Sequence, residues 1–203
     1  MAISTYSELQ SALGNWLGRS DVTATRYQEM IALCEAKLQR MIRTPEMETR
    51  NAAFTINAEY MALPTGFLEV KSFYLNTNPP TPVRFMSDDG INGLFNPNST
   101  GIPKFFNIQA SNFRFAPSPG GTYTASLTYY RRFTQLASTT TNFVLTDHPD
   151  VYLYGSLVEA EGFLVNDSRI MTWRQQYDAA LSELKMSGRK MLWSGQSMAV
   201  RVS

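Results

Sequence analysis

One stretch limits the fold of this chain more than any other. Residues 147–165 carry Val151, Tyr152, Leu153, Tyr154, Leu157, Val158, Ala160, Phe163 and Leu164, and after His148 the only charges are Asp150, Glu159 and Glu161. Plotted at 3.6 residues per turn, these apolar positions cover most of the circumference. A helix apolar nearly all round has to be surrounded by partners. Thr146 or Asp147 is placed to cap it, and Pro149 suits a first turn, where its missing N–H has no partner to lose. Gly155 and Gly162 each cost about 1 kcal/mol of helix propensity against Ala. They read as places where another helix comes close.

Two amphipathic segments precede this helix and one follows. Thr5 and Glu8 have the spacing of a capping box. Leu9, Leu13, Trp16 and Leu17 then recur at helical spacing until Gly18. Asp21 or Thr23 starts a second helix whose stripe is Tyr27, Ile31, Cys34, Leu38 and Met41; Pro45 ends it. After Asp167 or Ser168 a further stripe runs through Ile170, Trp173, Tyr177, Leu181 and Leu184, with Arg174 and Asp178 one turn apart on its other side. It fades near Ser187-Gly188.

Between these halves the period changes to that of strands. Short β-prone runs at 53–56, 60–63, 68–75, 83–86, 105–108, 112–115 and 122–130 are separated by turn residues, Gly120-Gly121 among them. Ser87 to Ile91 reads as one helical turn. The expected fold class is α+β. A four-helix bundle-like domain (1–49 and 147–188) carries an inserted small antiparallel β-sandwich or barrel (50–146), and an extended C-terminal arm (189–203) follows.

The residues offer little to chemistry. Of the 203 residues, 43% are hydrophobic, 12% aromatic and 17% charged, with net charge +1. So low a charge fits a protein that covers part of its surface with other subunits, and gives no strong pull towards nucleic acid or membrane. No apolar run is long enough to span a bilayer, and the first residues do not read as a signal peptide. The protein is expected to be made and kept in a cytoplasm, or to go into a particle assembled there. His148 is the single histidine; with Asp147 and Asp150 it reads as a helix start with carboxylates at the positive end, rather than as a metal site. Cys34, the single cysteine, reads as a core thiol. Asp88-Asp89-Gly90 reads as a turn. Arg131-Arg132 behind Tyr129-Tyr130 reads as a strand end with solvated arginines rather than a nucleic-acid platform. No catalytic, cofactor or metal residue is expected, and the chain is not read as an enzyme.

The tail is different. Beyond Glu183 there are four basic residues and no acidic one, and apolar residues stand among them, which a disordered tail would lack. Lys190, Met191, Leu192, Trp193, Met198, Val200, Arg201 and Val202 read as an arm with anchors but no core of its own, suited to a partner's surface. Its last residues alternate, with Met198, Val200 and Val202 on one side, a pattern that fits strand addition.

Particular motifs carry a resemblance. Tyr129-Tyr130 followed by basic residues, a Ser/Thr loop, Asn142-Phe143-Val144-Leu145 and then His148-Pro149-Asp150-Val151-Tyr152-Leu153-Tyr154-Gly155 resemble the tailed-phage head-to-tail connector (adaptor, head-completion) family. Leu63-Pro64-Thr65-Gly66-Phe67-Leu68-Glu69-Val70 adds to the likeness, which spans most of the chain. The resemblance implies a structural protein of the virion neck: a dodecameric ring below the portal, extending the DNA channel, holding DNA only as passing cargo. The arm would climb onto the portal ring, and the β insertion would face tail or nozzle proteins. The runner-up is a β-sandwich recognition module on a helical stalk, binding a host-surface glycan or protein through an aromatic patch such as Phe95, Phe105 and Phe106.

Overall fold

The computed structural model describes residues 3–19, 21–96, 99–160 and 168–193, with Leu192 and Trp193 described by backbone alone. The fold is mixed α+β. The chain divides into two compact units, Met1–Glu46 with Phe133–Ser203, and Met47–Arg132.

In the first unit, helix α1 (Tyr6–Leu17) opens on the expected capping box. Thr5 Oγ1 accepts the Glu8 N–H at 3.3 Å, and Glu8 Oε2 accepts the Thr5 N–H at 3.0 Å. Gly18 closes it at φ +63°, a left-handed conformation that glycine adopts without steric cost. Helix α2 (Ala24–Met41) buries Ile31, Cys34 and Leu38, whereas Tyr27, expected on the same face, is only half-buried. Its stripe departs from expectation at the end: Met41 is 46% exposed, and Ile42, just past the helix, is fully buried in its place. Trp16, expected in the core, is 45% exposed; its ring meets Tyr154 edge-on at 5.8 Å. Leu13 and Leu17 hold the inner positions of α1 instead.

The central apolar segment is two helices. Asn142 caps a short helix α4 (Phe143–Asp147), its Oδ1 accepting the Leu145 N–H at 3.0 Å. His148 breaks the run at φ −137°, ψ 60°, and Pro149 then opens α5 (Pro149–Glu159). The cap therefore falls at Asn142, not at Thr146 or Asp147. A proline cannot extend α4, because it lacks the N–H and clashes with the preceding turn. Helix α5 touches α1, α2, α4 and the final helix α6 (Arg169–Trp193), so the helix apolar on all sides is the surrounded one. Residue Gly162 lies outside the described residues.

Helix α6 buries Ile170, Trp173, Tyr177, Leu181 and Leu184 as expected. It does not end near Gly188. Gly188 is itself buried within the helix, and a β-carbon there would lie 3.2 Å from Thr44 Cγ2. The glycine serves a close approach of the chain at Thr44-Pro45 rather than an exit. The arm expected at 189–203 thus begins inside a helix that runs to Trp193.

The second unit holds two four-stranded sheets. In the first, β1 (Glu48–Ile56), β10 (Tyr123–Arg131) and β3 (Phe67–Leu75) form long antiparallel ladders, and two-residue β4 (Thr81–Pro82) follows β3. In the second, the order is β2 (Tyr60–Ala62), β8 (Asn112–Ala116), β7 (Phe105–Gln109) and β5 (Arg84–Phe85), the last pair parallel. Helix α3 (Asp88–Leu94) and a two-strand pairing of β6 (Thr100–Gly101) with β9 (Ser118–Pro119) fill the connections. Both sheets send side chains into one aromatic cluster: Phe54 and Phe73 from the first, Phe106, Phe113 and Phe115 from the second. Phe113 is fully buried and meets Phe54, Phe67, Phe73 and Phe106 at 5.4–5.9 Å between centroids. Such edge-on and tilted pairs add to the burial of the rings themselves.

The β unit ends at Arg132, not at residue 146. Phe133, Leu136, Val144 and Leu145 are buried in the helical unit, and polar side chains of α2 hold the loop that carries them.

Candidate interaction surfaces

Several polar groups of the helical unit hold structure. Glu35 is 2% exposed on α2, and its Oε1 accepts the Leu136 N–H at 2.8 Å and the Tyr152 O–H at 3.0 Å. Asn142 Nδ2 donates to Tyr152 Oη at 2.7 Å, and Gln39 Nε2 to the Phe133 carbonyl at 3.3 Å. This network ties 133–142 onto α2 and α5. Burial raises the Glu35 pKa, and the bonds from Leu136 and Tyr152 oppose the rise in part. Burial likewise raises the Tyr152 hydroxyl, with the Glu35 charge adding to it. The sequence carried a signal for Glu35 that the stripe reading passed over. It stands four residues after Ile31 and three before Leu38, on the buried face.

Cys34 is 1% exposed, and burial pushes its thiol far above the ordinary range. A thiol held protonated is no nucleophile. His148 is the N-cap of α5 and makes no side-chain capping bond. Among the described residues no group of three or more His, Cys, Asp or Glu is arranged to hold a metal ion. No helix among them is long and apolar enough to cross a membrane.

Within the β unit, Asp88 sits at the start of α3, below Ser87, which caps Gly90. Arg114, 15% exposed in its side chain, donates to Glu59 Oε1 at 2.9 Å and to Asp88 Oδ1 at 3.4 Å, and Gln109 Nε2 donates to the same Asp88 oxygen at 2.7 Å. These bonds, Gln109 first, lower the Asp88 pKa. Of these residues Glu59 and Arg114 wall a cleft of about 130 Å³ that Asn92, Phe95 and Ser118 also line. Charges here are matched within the unit, so the cluster orients α3 against the second sheet.

The proposed aromatic patch does not assemble. Phe106 is 5% exposed and belongs to the core. Phe95 and Phe105 pack on each other at 5.9 Å, both half-buried. Tyr129 is also a core residue, against Phe67 at 5.7 Å, so it is no stacking platform beside Arg131 and Arg132. Arg131 and Arg132 instead flank Gly66. The Arg132 N–H bonds the Gly66 carbonyl at 2.8 Å, and a β-carbon on Gly66 (φ +74°) would lie 3.2 Å from Arg131 Cγ.

Apolar surface remains on the helical unit. Leu33 is 53% exposed on α2, and Met171, Met186 and Met191 are 67%, 52% and 55% exposed on α6. Of the arm residues, Lys190 and Met191 lie exposed on the last turns of α6, and Leu192 and Trp193 continue its backbone. Met198, Val200, Arg201 and Val202 lie outside the described residues. The family model described as SU10 adaptor protein matches residues 4–202. No curated protein matches the chain.

Proposed function

The chain belongs to the SU10 adaptor protein family, a family of phage head-to-tail adaptors, and from that premise we propose that it forms a ring below the portal, extends the DNA channel and docks tail proteins. As a phage structural adaptor its place is the virion neck. The observation that carries the proposal is the family match, which takes in both compact units and the tail together.

The geometry supports it in two ways. Leu33, Met171 and Met186 expose large apolar side chains on a unit whose core is already filled. Flank-to-flank contact between copies would remove such surface from water, and a head-to-tail contact of this kind closes into a ring when its rotation divides the circle. A four-helix arrangement of α1, α2, α5 and α6, with α4 as a brace, suits the wall of that ring, and the two-sheet unit suits a docking module. The dodecameric number follows the family resemblance. DNA passing through needs few fixed phosphate contacts, in keeping with the net charge of +1.

The arm is proposed as the portal contact: Lys190, Met191, Leu192 and Trp193 at the end of α6, then Met198, Val200, Arg201 and Val202. Lys185, Arg189, Lys190 and Arg201, with no acidic residue after Glu183, favour an acidic surface on the portal. The test is electron microscopy of the chain mixed with its cognate portal rings. The full chain is expected to add a ring of density to the portal. A chain ending at Trp193, which keeps every described helix and strand, is expected not to attach. Attachment undiminished by that truncation would remove Met198, Val200, Arg201 and Val202 from the contact and leave it to 190–193 or to the rest of the helical body.

A further inference from the structure

One edge of the β unit is left open on both sheets. β4 pairs only with Tyr74 and Leu75, and one more bond, from the Val83 N–H to the Phe73 carbonyl at 2.9 Å, continues that side. From Phe67 to Ser72, β3 is paired with β10 on one side and, among the described residues, with no strand on the other. The corresponding edge of the second sheet is β5, two residues long. A groove of about 320 Å³ follows this side, lined by Val70, Lys71, Phe73, Arg84, Phe85 and Phe106 among others. Its floor is apolar: Phe73 and Phe106 are 3% and 5% exposed and lie 5.5 Å apart.

Phe85 is out of place for a side chain of this kind. In the β5–β7 register it pairs with Phe106, so the two share the inner face of the sheet. It rests on Phe106 at 5.7 Å yet is 64% exposed. The first sheet on this side ends in the two residues of β4, which leaves most of the Phe85 ring uncovered. The groove lining includes two cations and no carboxylate. Lys71 pairs with Glu48, whereas Arg84 is exposed and makes no ion pair among the described residues.

We infer that this groove is a strand-addition site for an extended segment of a partner protein in which apolar and acidic residues alternate. The segment's backbone bonds the free edge of β3, its apolar side chains enter over Phe73, Phe85 and Phe106, and the carboxylate at its end beside β5 meets Arg84. An open edge supplies unpaired donors and acceptors in a row, and alternate side chains of an added strand supply specificity through pockets on one face. A second copy of this chain fits poorly, since pairing like edges would bring two sets of Lys71 and Arg84 together. The inference deepens the docking role proposed above and rests on it only for the partner's origin.

The test uses the full isotopically labelled chain and two blocked hexapeptides, one alternating valine with glutamate, the other valine with lysine. The glutamate peptide is expected to bind saturably and to slow amide exchange at Val70 to Phe73. Phe85→Ala, at an exposed position, is expected to leave the melting temperature unchanged and weaken binding roughly tenfold or more. Arg84→Glu is expected to reverse the preference in favour of the lysine peptide, which gives a second readout free of any packing change. Absence of saturable binding, equal binding of both peptides, or indifference to both substitutions would overturn the inference. So would a concentration-dependent dimer abolished by Phe85→Ala, which would assign the edge to a second copy. No other virion protein is present, so a negative result leaves the adaptor reading standing, and failure to attach to portal rings leaves a positive result here untouched.

Discussion

A β-carbon on Gly155 would lie 2.5 Å from Cys34 Sγ, closer than two such atoms approach in folded proteins, and 2.8 Å from Tyr177 Cε2. Helices α2 and α6 therefore meet α5 at one hydrogen-sized position. Gly155→Ala gains about 1 kcal/mol of helix propensity and has to push apart two packed side chains, at a cost of about 1–3 kcal/mol. The expected net effect is a lower melting temperature. Cys34→Ala in the same chain removes the nearer clash, so the double variant is expected to be more stable than the two single losses added together. Additive losses would place the strain elsewhere.

Leu157 is fully buried and Trp16 is 45% exposed. Leu157→Ala is expected to cost about 2–5 kcal/mol in denaturant unfolding. Trp16→Ala, despite removing a larger side chain, is expected to cost far less, because half of its surface already meets water and its main partner is the edge of Tyr154. A Trp16 loss equal to that of Leu157 would restore it to the core, where its helical spacing had suggested it belongs.

These two residues show what was legible in the sequence. Period decided the helices and their inner faces well: Leu9, Ile31, Leu153, Trp173, Tyr177 and Leu181 are all buried. Where stripes end, period is silent. Trp16 and Met41 lie at the rims, and there the neighbouring Leu17 and Ile42 take the inner positions. The break at His148 was hidden because Asn142 and Pro149 each supply a valid helix start, and an unbroken apolar run conceals which one governs. The loop 133–142 looked polar and β-attached. What moves it to the helical unit is a carboxylate on α2, a long-range partner that no local pattern reveals. The surfaces used for binding were least legible, since exposure of Phe85 depends on how far β4 extends.

Glu35 gives a pH prediction. Its folded pKa is raised above the ordinary carboxylate value, so the folded state binds more protons than the unfolded one between the two values. Stability from this group is complete below the unfolded value of about 4.3 and is lost as pH rises through the folded value. Glu35→Gln cannot titrate and keeps an oxygen to accept from Leu136 and Tyr152. Denaturant midpoints measured between about pH 4 and pH 8 are expected to fall with pH more in the native chain than in the variant. Parallel pH profiles would show that the carboxylate titrates alike folded and unfolded.

Gly188 separates a helix from a hinge. Glycine near the end of an amphipathic stripe fits a helix stop, yet here α6 continues through it to Trp193. Thr44 Cγ2 and Pro45 Cδ would lie 3.2 and 3.4 Å from a β-carbon at this position, so the residue is chosen for closeness. Proline distinguishes the two roles. At a hinge it is tolerated, since no helical bond is lost. In a helix interior it removes the bond to the fourth preceding carbonyl and clashes with it, costing about 3 kcal/mol. That carbonyl belongs to Leu184, a fully packed residue at 1% exposure that also accepts from Ser187 Oγ at 2.9 Å. Gly188→Pro is thus expected to lower helicity by circular dichroism and to destabilise the helical unit. It should also weaken attachment to portal rings, because Lys190 and Met191 would lose their fixed positions on the last turns. Native helicity and stability in that variant would return residues 189–193 to the arm and end α6 at Gly188.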